Sequence, residues 1–164
     1  MPSFDVVSQV NFQEVDNAVN QALKELAQRY DFRGSKSTIE FDKQGKKIIL
    51  LADDDMKLKA LREILNQRMV KRGIGVRVLD YGEPTLAAGE ALRQAVSIKE
   101  GVSGDDARRI AKLVKELKLK SVQAEIQQDQ VRVRGPKKDD LQRAIQEIKA
   151  QVSDLELQFV NFKD

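Results

Sequence analysis

The chain opens in a two-residue rhythm. Phe4, Val6 and Val10 share one face of an extended segment over about Ser3–Val10. The rhythm then lengthens. Val15, Ala18, Val19, Ala22, Leu23, Leu26 and Tyr30 form one stripe, which predicts a helix over Phe12–Tyr30. Asn11 followed by Glu14 has the form of a capping start. Two strands come next, Thr38–Asp42 and Lys46–Ala52, joined by a turn at Lys43–Gly45. Leu58, Leu61 and Leu65 mark the inner side of a helix over Asp54–Lys71, and Ile74–Asp80 reads as a strand between Gly73 and Gly82.

This order, strand, helix, strand, strand, helix, strand, then recurs. Leu92–Lys99 alternates as a strand, with Leu92, Val96 and Ile98 in register. Ser103–Leu117 is a helix with Ser103 and Asp106 as its capping pair. Val122–Gln127 and Gln130–Arg134 form a hairpin, Leu141 to Val152 carries the next helical stripe, and Leu155–Phe162 is the last strand. The segment "YGEPTLAAGE" separates the copies. The pattern predicts an α+β chain of two tandem ferredoxin-like βαββαβ domains, 1–80 and 92–164, with a linker at 81–91. Each is a four-stranded antiparallel sheet with two helices on one face.

Composition narrows the chemistry. Of 164 residues none is cysteine and none histidine, which removes the usual zinc ligands and the histidine-assisted nucleophiles. No Walker phosphate loop occurs. These absences point away from an enzyme, and no cofactor or metal is expected. No apolar run approaches a membrane span of about 18 residues, and the first residues lack the basic and apolar regions of a secretory signal. With no cysteine, the expected compartment is the cytoplasm. Net charge is +3. Residues 1–90 carry 14 basic and 14 acidic side chains, while residues 91–164 carry 15 and 12. Counted along the chain, the excess falls in the second half.

The open faces of the two sheets differ. "KKIILLA" is apolar on both sides, with Ile48 and Leu50 opposite Ile49 and Leu51. That predicts an outer face covered by the linker or the other half. The second hairpin instead alternates Val131 and Val133 with Arg132 and Arg134. In a βαββαβ sheet the first and third strands are central neighbours. Arg93 and Lys99 are therefore expected to converge with Arg132 and Arg134 on one phosphate-binding patch.

The blocks "MPSFDVVSQV", "RYDFRG", "KRGI", "VQAEIQ", "QVRVRG", "DDLQ" and "LQFVNFKD", in this order along the whole chain, resemble the YajQ family of bacterial nucleotide-binding proteins. The resemblance implies a tandem of domains similar to RNA-recognition modules, with their first strands exchanged. Residues 3–10 would then enter the second sheet and 92–99 the first. It also implies binding of GTP and transfer RNA, or, as the alternative, a cyclic di-GMP effector that signals to a protein or DNA partner. The family's hairpin commonly carries a glycine at the turn, where this chain has Gln128, and lacks Arg134 and Pro136.

Further candidate residues fall in three places. Lys137 and Lys138 open a helix, where anions bind, although Asp139 and Asp140 share that turn. Tyr30, Phe32 and Arg33 supply rings and a cation able to grip a base, or else close a core. Asn161, Phe162 and Lys163 end the chain, with Phe162 expected to point outward and Phe159 inward. Asp53, Asp54 and Asp55 read as a helix start or as magnesium ligands beside a nucleotide. The third reading of the whole is an interaction module whose polar sheet docks a protein.

Overall fold

The computed structural model describes all residues, Met1–Asp164. Nine strands and four helices form two compact units. The first unit is Met1–Gln9 together with Glu100–Asp164, and the second is Val10–Lys99. No helix is long and apolar enough to cross a membrane.

The second unit holds β2 (Thr38–Asp42), β3 (Lys47–Ala52), β4 (Leu79–Tyr81), β5 (Thr85–Leu86) and β6 (Leu92–Ile98), with α1 (Phe12–Gln28) and α2 (Asp55–Lys71). Its sheet runs β2-β3-β6-β4, antiparallel throughout. Ile48 and Leu50 on β3, Val96 on β6, and Leu58, Leu61 and Leu65 on α2 meet in the core. Asn11 caps α1 by accepting from the Gln13 and Glu14 amides at 3.1 and 3.3 Å. The "KRGI" block ends α2. Gly73 adopts φ +80, and the amides of Gly73 and Ile74 turn back onto the carbonyls of Val70 and Met69. Arg72 leaves that end to pair with Glu14 at 2.7 Å.

The strand expected over Ile74–Asp80 is shorter here. A 3₁₀ turn occupies Val76–Val78, and pairing begins at Leu79. The linker also departs from expectation. Its residues Thr85–Leu86 form a short strand that pairs with β6 and extends the sheet edge. Beneath that edge Gln94, 4% exposed, donates to the Gly82 carbonyl at 2.7 Å and accepts from Arg62 at 3.1 Å. Tyr81 donates to Asn66 at 2.7 Å, and burial pushes its phenol up to about 12. The neutral phenol is thus the folded form. Its contribution should be intact below the ordinary value near 10 and lost as pH rises through about 12, which absorbance titration of Tyr81 at alkaline pH will show.

The first unit holds β1 (Ser3–Val7), α3 (Gly104–Glu116), β7 (Gln123–Gln127), β8 (Gln130–Arg134), α4 (Lys138–Gln151) and β9 (Gln158–Lys163). Its sheet runs β7-β8-β1-β9. In both sheets the place beside the hairpin's second strand is filled from elsewhere in the chain. β1 lies between β8 and β9, while β6 lies between β3 and β4. The first strands are therefore exchanged. The fold is α+β, two tandem ferredoxin-like units. Phe4 and Val6 complete a core with Val131, Val133, Ile110, Leu141 and Ile148. Val10, expected to share their face, instead belongs to the second unit and packs against that unit's own core.

Candidate functional site

The open face of the first unit's sheet is built from the alternation of β1 and β8. Phe4 and Val6 turn to the helices, so Asp5 turns to the open side opposite Arg132. Arg132 donates Nε to Asp5 Oδ1 at 2.9 Å and Nη2 to Oδ2 at 3.3 Å. Asn161 adds Nδ2 to the same Oδ2 at 2.9 Å. Asp5 is 1% exposed. The Arg132 hydrogen bonds hold its carboxyl below the usual carboxylate range against the opposing effect of burial. Asp5 in turn pushes the Arg132 pKa up, so the guanidinium stays charged.

Asn161 reaches Asp5 through a bulge. Between the pairs Ser3 with Lys163 and Asp5 with Val160, β9 carries two residues against one, and Asn161 takes φ +56. Asparagine tolerates that left-handed backbone better than most side chains. The bulge also redirects Phe162. Its ring lies 6.0 Å from the buried Phe4 ring and lines a small cavity with Leu141 and Lys138, on the helix side of the sheet. It is exposed as expected, but away from the face that carries Arg132.

Arg134 donates to Glu125 at 3.0 Å on the neighbouring strand β7. Lys163 is exposed and close enough to lower the Asp5 pKa. Lys137 holds the cap position of α4 without a side-chain capping bond, and Lys138 pairs with Asp164. Gly135 is required before them, because a Cβ there would stand 2.8 Å from Val122 Cγ2.

Arg93 and Lys99 are not carried by the strands of this sheet. Strand exchange puts Arg93 on β6, opposite Leu51 and Thr85 in the other sheet, and Lys99 just beyond it, with its amide on the Val78 carbonyl. The position expected to bring those cations to Arg132 is filled by β1, which brings a carboxylate. The charge balance moves as well. Counted by folded unit, residues 10–99 carry 16 basic and 13 acidic side chains, and the remainder 13 and 13. The whole excess belongs to the second unit.

In that unit the "RYDFRG" loop divides its rings. Phe32 is buried in the core, whereas Tyr30 is 82% exposed, with the Arg33 guanidinium 5.9 Å from its ring centroid. Arg29 is held by Asp31 at 2.8 Å. The three aspartates serve the chain nearby. Asp53 accepts from Ser35 Oγ at 2.6 Å and the Lys36 amide at 3.3 Å, and Asp54 caps α2 through the Lys57 amide at 2.8 Å. Asp55 lies in the first helical turn. These bonds account for the triplet as a helix start.

One participant escaped the sequence reading, Asp5; Asn161 is a candidate there, but not as the partner of Asp5. Asp5 did leave a signal, a lone carboxylate between apolar residues in "SFDVV". Its partner lies 127 residues away and carries no local mark.

Fold and face together define a class, tandem ferredoxin-like sheets joined by strand exchange, with a polar arginine-bearing face. A family model described as "Nucleotide-binding protein YajQ-like" matches residues 2–163, and the chain belongs to that family. A nucleotide-binding protein of Trichlorobacter lovleyi is 52% identical over 164 residues, all of both chains. One from Geotalea daltonii is 52% identical over 163 residues, 99% of each. One from Magnetococcus marinus is 51% identical over the full length of both.

Proposed function

We propose that the protein is a cytoplasmic, non-enzymatic binder of nucleotide phosphates, those of a free nucleotide such as GTP and of RNA including transfer RNA. The binding surface is the open face of the β7-β8-β1-β9 sheet. The observation that carries the reading is the Arg132 guanidinium, oriented by Asp5 and still holding N–H donors that Asp5 does not use. A guanidinium so held meets phosphate without first being ordered. Arg134 and Lys163 flank it, and the names of the relatives support a nucleotide as the ligand. On this side β1 and β8 carry Ser3, Asp5, Val7, Gln130, Arg132 and Arg134, of which Asp5 and Val7 are buried, with no ring among them. Contacts to RNA are then made to the backbone and are insensitive to sequence.

The test titrates GTP, cyclic di-GMP and transfer RNA in one buffer. Arg134→Gln with Lys163→Gln should weaken RNA binding across sequences and reduce the salt slope by about one unit per cation removed. Asp5→Asn should act oppositely at low salt, since it unmasks Arg132. GTP should remain unhydrolysed. Unchanged RNA and GTP affinity in the double variant would place the site elsewhere, with the exposed Tyr30 and Arg33 next to be tried.

A further inference from the structure

We propose that β7 is a docking edge for an acidic protein segment, which adds to the sheet as an extended strand. β7 ends the sheet, with β8 on one side and no strand on the other. Its free hydrogen-bonding groups follow from the ladder. The Gly135 amide donates to the Pro2 carbonyl at 3.0 Å, so the odd-numbered residues of β8 bond toward β1 and the even-numbered ones toward β7. Across the register, Gln123, Glu125 and Gln127 are the bonded positions of β7. The amides of Ala124 and Ile126 therefore point to the open edge.

Other edges in the molecule are guarded. β9 carries the bulge at Asn161 and ends in Lys163, β2 presents Glu40 and Asp42, and β4 and β5 are short and separated by Gly82 and Pro84. β7 has no proline, lysine or bulge, and its one charge, Glu125, is paired with Arg134. Ile126 lies on the helix side, in register with the buried Val131, yet is 44% exposed. Beside Ala124 a groove of about 610 Å³ opens between α3 and the edge, floored by Val114, Leu119 and Val122.

The rim selects the occupant. Lys112 and Lys115 line the groove, and Lys118 and Lys120 follow in the loop to β7. Lys118 stands in a left-handed conformation, φ +53, directly after the α3 cap, where glycine is the residue of least strain. Lysine there costs local stability and supplies charge. A second copy of β7 would bring its own lysine rim into like-charge contact, which disfavours self-pairing. RNA would engage the lysines and leave the amides and the apolar groove unused. An extended segment with an apolar side chain for Ile126 and carboxylates for the lysines uses all three.

The probe is a fluorescein-labelled heptapeptide alternating glutamate and valine, with a lysine–valine version as control, added to the full-length protein. Saturable anisotropy with the acidic peptide alone, and slowed amide exchange at Ala124 and Ile126, are expected. Ala124→Pro removes an outward donor and spares the bonds to β8, and should weaken binding about tenfold or more. Lys115→Gln with Lys118→Gly should weaken it by several-fold while the thermal midpoint is kept or raised. This second variant decides the matter if the proline variant does not fold. Undiminished binding in Ala124→Pro, unchanged exchange at the edge, or concentration-dependent self-association protecting β7 without peptide would each overturn the proposal.

Discussion

Removing residues 1–9 should unfold residues 100–164, although the two segments are far apart in sequence. β1 is a central strand, and without it β9 loses its pairing partner and β8 becomes an edge. Phe4 and Val6, both fully buried, leave with it. Burial of such side chains contributes about 1.5–3 kcal/mol each. Together with a strand's worth of lost backbone pairing, that is comparable to the whole stability of a domain, about 5–15 kcal/mol. Amide exchange at Val131 and Val133 should rise toward that of an unfolded chain. A synthetic peptide of residues 1–9 supplied in trans should restore protection. Residues 10–99 form a continuous piece containing all strands of their sheet, so this fragment should fold alone. Retained protection at Val131 and Val133 in the truncated protein would contradict the exchanged topology.

Arg132→Gln should destabilise the first unit, even though Arg132 lies on an open sheet face. The reason is Asp5. Without the guanidinium its nearly inaccessible carboxylate keeps only Asn161 as a side-chain donor, and an unpaired buried charge costs about 1–3 kcal/mol or more. Adding Asp5→Asn to Arg132→Gln should recover much of the loss, and the non-additivity in a double-mutant cycle measures the coupling. Acid denaturation supplies the sign. Because the folded Asp5 pKa is depressed, its contribution is present above the ordinary carboxylate range and lost as pH falls through the depressed value. Asp5→Asn should therefore flatten the acid limb of the stability profile. Additive single effects, or a limb unchanged by Asp5→Asn, would show the pair to be an ordinary exposed contact. Arg134 offers the contrast. Its partner Glu125 is exposed, so Arg134→Gln should change stability by within about 0.5 kcal/mol. That makes it the cleaner probe of binding.

Local chemistry made much of the molecule readable in advance. The two-residue and helical periods of apolar side chains located eight of the nine strands, all but β5, and the four helices, because each period reflects one side of one element meeting a core. Asn11 and Ser103 marked helix starts because their side-chain oxygens satisfy amides two or three residues on. The alternation in "QVRVR" put Arg132 and Arg134 on the open side for the same local reason. Which strand lies beside which is a different kind of fact. β1 and β6 both alternate apolar and polar residues, and either could fill either sheet by periodicity alone. The exchange came instead from the resemblance of whole blocks. Pairing across 127 residues then replaced the expected cations, Arg93 and Lys99, with Asp5 beside Arg132. The same pairing moved the charge excess to residues 10–99. Side-chain period is set by bonds along the chain, so the amino-acid order determined it. The neighbours of an open sheet face are set by long-range strand pairing, and only the tertiary structure decided those.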